Sequence, residues 1–162
     1  MRAGAGILGT GIVFLAACGA APKSSPTPAA APTPPAATGP RVVMPSGAVY
    51  SVEIARTPEE QAQGLMYRES LPPRAGMIFL FSDGGSHNFW MKNTMIPLDI
   101  IWIDAAGKVI FVSANTPPCK SDPCPNYGPQ TPAPTVLEIA GGMAAKEGVA
   151  VGATVRAVEV PR

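Results

Sequence analysis

Between Val49 and Ala55, Val49, Ser51 and Glu53 alternate with Tyr50, Val52 and Ile54, the two-residue period of a half-buried strand. Thr57-Pro58-Glu59-Glu60 follows, with a capping Thr, a first-turn Pro and a Glu three residues after the Thr. That pattern predicts a short helix to about Gln63, stopped by Gly64. Residues 77–81 are an unbroken apolar run between Gly76 and the turn Ser82-Asp83-Gly84-Gly85, which predicts a buried strand. Residues 88–91 continue in strand fashion, with Phe89 and Trp90 on opposite faces and both faces expected to be covered. Residues 98–104 and 109–112, joined by Ala105-Ala106-Gly107-Lys108, make the clearest hairpin. Residues 135–140 and 154–160 read as further strands, and residues 142–147 as one or two helical turns ended by Gly148. Six or seven short strands with one or two short helices predict a mainly β domain, an antiparallel sandwich or distorted barrel.

Composition divides the chain. Of its 162 residues 20 are Pro, well above ordinary globular usage, and seven of these lie between Pro22 and Pro40. Residues 42–160 hold 8 Lys+Arg against 11 Asp+Glu, net −3, whereas Arg2, Lys23, Arg41 and Arg162 supply +4 outside. A mildly acidic domain without a basic run argues against a phosphate-backbone partner, so nucleic acid is set aside.

The N-terminus carries an address. Arg2 precedes an apolar run over residues 7–15 that is too short to cross a bilayer as a helix, and reads as a signal-peptide core. Leu15-Ala16-Ala17-Cys18 resembles the bacterial lipobox, which implies a signal peptide over residues 1–17 and lipidation of Cys18. Residues 18–41 then form a Pro/Ala-rich disordered tether, with nothing in it to repay ordering entropy. The β domain occupies residues 42–162, held at the bacterial envelope by a membrane lipid anchor on the periplasmic or extracellular side. In such a compartment Cys119 and Cys124 are expected to pair, closing a loop of six residues for about 2 kcal/mol. Their spacing is not the redox C-x2-C, and no metal or cofactor is expected from them.

Several strings stand out together: Gly64-Leu65-Met66-Tyr67-Arg68, Gly76-Met77-Ile78-Phe79, Phe89-Trp90-Met91-Lys92-Asn93-Thr94, Ile96-Pro97-Leu98-Asp99, and Val136-Leu137-Glu138-Ile139 before Gly141. Their order and spacing resemble the DUF192 family over residues 48–160. The resemblance implies a compact, mainly β, jelly-roll-like fold. It supplies no activity and no catalytic residues.

Candidate chemistry centres on the stretch from His87 to Asn93, where an aromatic floor and convergent amide and ammonium donors suit a small polar ligand. Against this stands the plainer reading of Phe89, Trp90 and Met91 as core. Glu138 interrupts an apolar strand and Asp99 opens another, and a charge in such a place is costly unless paired or wet. Trp90, Lys92, Asn93, Asp99 and Glu138 are therefore the candidate ligand site. The expected function is an envelope-anchored binding or accessory module, its partner a small ligand or an envelope protein. The alternatives are an enzyme acting on envelope polysaccharide or peptide through Asp99 and Glu138, or a structural lipoprotein with no small ligand. His87 is the sole histidine, and no Ser, Cys or Thr has a base beside it, which disfavours a triad. Six methionines beyond Met1 raise copper, but most sit in apolar runs, where thioethers fill gaps in cores.

Overall fold

The computed structural model describes residues 38–161; the expected signal peptide, Cys18 and nearly all of the expected tether lie outside the described residues. Chain order is β1 (Arg41–Val43), β2 (Val49–Ala55), α1 (Pro58–Gln63), β3 (Ala75–Leu80), β4 (Phe89–Trp90), β5 (Leu98–Ile103), β6 (Val109–Thr116), β7 (Asn126–Tyr127), β8 (Thr135–Ala140), α2 (Met143–Lys146) and β9 (Arg156–Val158). Seven strands build one sheet in the order β6-β5-β8-β3-β2-β1-β9, and β4 pairs with β7 in a separate ribbon.

The main sheet is mixed rather than purely antiparallel, because β2 and β3 run parallel. Parallel neighbours need a crossover, and residues 56–74 with α1 provide it. Helix α1 forms as its sequence predicts: the Thr57 side chain accepts from the Glu60 backbone N–H, and Glu60 answers at the Thr57 N–H. The sheet also curls. The Val109 N–H donates to the Ala153 carbonyl at 2.9 Å and the Val155 N–H to the Gly107 carbonyl at 2.9 Å. The β6 side thereby meets the segment leading into β9 at the other edge, giving a half-barrel with part of its edges satisfied.

Strand β3 begins earlier than its apolar run and takes in Gly76. A Cβ at Gly76 would lie 2.3 Å from the Glu138 carbonyl oxygen, so only glycine lets β3 and β8 come this close. Strands β1 and β7 were not expected, being too short to show a period, and β1 begins at Arg41, which composition assigned to the tether. At the other end, the expected strand over residues 154–160 shrinks to Arg156–Val158.

Central strands are buried on both faces, and the register sorts their side chains into two cores. Val52, Ile78, Leu137, Ile139 and Ile101 belong to one. Met77, Phe79, Val136, Ile100 and Trp102 belong to the other. Glu138 stands opposite Met77 on β3 and Ile100 on β5, and so lies on the second face. Asp99 stands opposite Ile139, on the first. Cross-strand partners share a face and successive residues do not, so the two carboxylates point away from each other through the sheet.

Candidate functional site

A cleft of about 360 Å³ opens between the turn that ends α1, strand β3, the segment from Ser86 to Trp90 and β8. Its volume falls within the range of small-ligand sites. Phe79, Phe81, Phe89 and Trp90 give it aromatic walls, Met66 adds a thioether, and Glu138 is its acid. The rings are set edge to face: Phe79 and Phe89 lie 4.9 Å apart at 88°, and Phe89 and Trp102 5.7 Å apart at 86°. Trp102, fully buried behind them, donates its indole N–H to the His87 carbonyl at 2.7 Å, which ties the cleft wall to β5. Such pairing makes a stiff wall.

Glu138 is 5% exposed, and among the described residues neither a hydrogen-bond donor nor a cation meets its carboxyl. Burial pushes its pKa up to about 8 from an ordinary 4.5, so at neutral pH the group is mostly a neutral acid. Its carboxyl reaches toward Gly64, where an added Cβ would lie 3.7 Å from Oε2 and 3.2 Å from the Phe79 ring. The backbone of Gly64, at φ 48 and ψ −133, lets the chain turn there without a side chain filling the cleft.

Of the five residues singled out in the sequence, Glu138 and Trp90 line the cleft. Trp90 is 48% exposed, contrary to the expectation of a strand covered on both faces, because β4 pairs only with the short β7, in a ribbon apart from the main sheet. Lys92 places Nζ 5.5 Å from the centre of the Trp90 ring and 3.4 Å from Asp122 Oδ1. It thus supports the rim and does not enter the cleft. Asn93 has a left-handed backbone, φ 55, and accepts from the Tyr67 N–H, itself at φ 62. Two non-glycine residues in this costly conformation face each other beside the cleft mouth.

Asp99 lies elsewhere. Wholly buried, its Oδ1 accepts from the Asn115 N–H at 2.6 Å and the Gly142 N–H at 3.0 Å, and its Oδ2 from the Ala144 N–H at 2.6 Å. It holds a bulge of β6 and the start of α2 against β5, and its oxygens are occupied by backbone donors. A groove flanked by Asp99 and Glu138 together is therefore not formed.

His87 stacks on Phe81 at 3.5 Å and 12°, and its Nε2 lies 3.0 Å from Asp83 Oδ1 without hydrogen-bond alignment. Among the described residues no three His, Cys, Asp or Glu side chains gather to hold a metal. Met77 and Met91 are buried, while Met95 is 54% exposed, so the methionines are not uniformly core. Cys119 and Cys124 form a disulfide, in the loop whose Asp122 meets Lys92. Phe79, Met66 and Gly64 were named in the sequence only as parts of strings; their convergence on Glu138 depends on β3 and β8 being neighbours. A second hollow of about 800 Å³, reached by Ile78, Leu80 and Ile103, contains no buried charge.

Fold and site together define a small half-barrel β domain with a one-carboxyl, aromatic-walled cleft. The model of the DUF192 family, described as uncharacterised, matches residues 41–157, and the chain belongs to that family. No curated protein matches it. It is similar to a protein of unknown function from Novosphingobium aromaticivorans whose crystal structure is known, at 40% identity, TM-score 0.65, over 79% of this chain and 94% of that one. It is also similar to a protein from Sinorhizobium meliloti described as a candidate transcription regulator, at 32% identity, TM-score 0.65, over 75% of this chain and 93% of that one.

Proposed function

We propose that this chain is a lipid-anchored envelope module whose cleft binds a small ligand through Glu138 and the Trp90 wall. One observation carries the reading: an acid buried without any partner, at the base of an open aromatic cleft. Burying a carboxyl without a hydrogen bond costs roughly 2 kcal/mol or more, and an apolar residue there would stabilise the strand better. The leader and tether supply the anchoring part of the proposal through Cys18. With Asp99 committed to backbone donors, a two-carboxylate enzyme has no support from the geometry. The net charge of −3 over residues 42–160 likewise lends none to a nucleic-acid surface.

Two measurements test it. Expressed in a bacterium, the full chain should sediment with membranes, and Cys18→Ser should move it to the soluble fraction; an unchanged distribution removes the anchor. A thermal-shift panel of amines, sugars, amino acids and carboxylates should return at least one stabilising ligand whose effect is lost in Trp90→Ala. A silent panel would favour a structural lipoprotein instead.

A further inference from the structure

We infer that the ligand of this cleft is an organic ammonium ion, with the Glu138 carboxylate as its counter-ion and the rings of Trp90, Phe79 and Phe89 around its alkyl groups. The inference rests on the cleft being a ligand site and adds the class of ligand.

The argument is one of complementarity. The lining contains a carboxyl but no Lys and no Arg, and its one other titratable side chain, His87, stacks on Phe81 with Nε2 3.0 Å from Asp83 Oδ1, so no cation of the described residues meets the buried carboxylate. The surrounding charges are committed elsewhere. On the rim, Lys92 turns to Asp122. On β2, Glu53 pairs with Arg68 from the turn after α1, and on β5 Asp99 faces the opposite core. Strand β3 carries no charge, and on α1 Glu60 accepts from the Arg56 and Thr57 backbone N–H groups. A ligand cation would therefore meet one unpaired acid and several ring faces, the combination that favours alkylated ammonium groups. The indole of Trp90 already accepts such a charge from Lys92.

Cation binding must be linked to proton release. In the protein by itself burial holds Glu138 protonated up to about pH 8, whereas the ion pair needs it ionised. Affinity for a cation should then rise about tenfold per pH unit below that value and level off above it. A neutral or anionic ligand that accepts a hydrogen bond from the protonated acid would show the reverse trend.

The test is calorimetric titration of the parent protein with choline, butylammonium, 3,3-dimethyl-1-butanol (the neutral isostere of choline) and butyrate, at pH 6 and pH 8.5. At pH 8.5 choline or butylammonium should bind at least tenfold more tightly than the neutral and anionic probes. Its affinity should fall at least tenfold at pH 6, and about one proton should be released per cation at pH 7, read from buffers of different ionisation enthalpy. Glu138→Gln, which keeps the shape of the protonated side chain, should lose both the cation and the proton release while remaining folded. Preferential binding of the alcohol or of butyrate, retained in the parent and lost in Trp90→Ala, would overturn the cation assignment and leave the cleft as a ligand site. Silence from all four probes, together with a silent thermal-shift panel, would overturn both.

Discussion

Glu138 is the residue on which the functional reading turns, and its environment makes a stability prediction independent of any ligand. Its pKa in the folded chain is raised to about 8, above the ordinary 4.5, so the native state holds a proton there that the unfolded chain has released. The stability of the fold therefore declines as pH rises between those two values, by about 1.4 kcal/mol per unit from this group alone, and levels off beyond them. Glu138→Gln should abolish that decline: urea unfolding at pH 5, 7 and 9 should find the variant close to the parent at pH 5 and clearly more stable at pH 9. A parallel pH profile in both proteins would mean the acid is not held protonated. Tyr50 behaves in the same sense at another buried site, where burial and the Glu147 carboxylate it donates to raise its pKa to about 12.

Strand β5 and its neighbours illustrate how one polar side chain can organise several elements. The bulge that places Asn115 at φ 48 would leave its N–H unpaired, and the start of α2 exposes the Gly142 and Ala144 N–H groups; Asp99 satisfies all three. Asp99→Ala should therefore cost about 3 kcal/mol, since it strands one buried and two partly buried donors as well as removing the bonds. Chemical denaturation would register the loss, while cleft binding in the surviving folded fraction should persist. Loss of binding without loss of stability would assign Asp99 to the site after all.

For the molecule as a unit, the loop between β6 and β8 backs the cleft wall without lining it, because β7 within it pairs with β4. The Cys119–Cys124 disulfide closes a loop of six residues that carries Asp122 to Lys92 and donates the Cys119 N–H to the Met91 carbonyl. Replacing both cysteines by serine should lower unfolding free energy by about 2 kcal/mol, the loop-closure value for so short a ring. A drop much larger than that would show that the loop folds only with the bond in place.

Much of this could be read along the chain. The two-residue period marked β2, the apolar runs marked β3, β5 and β8, and the Thr57–Glu60 box marked α1, because each of these depends on local spacing alone; the cysteine bond was expected from an even pair in a chain read as exported. Glu138 also announced itself, as a charge where the pattern called for a hydrocarbon. The parallel pairing of β2 with β3, the curl of the sheet, the separation of Asp99 from Glu138 and the gathering of Gly64, Met66, Phe79 and Trp90 around one acid came only with the tertiary structure. Those features follow from strand order and register, in which a shift by one residue exchanges the two faces of a strand, and no local pattern specifies which strands become neighbours.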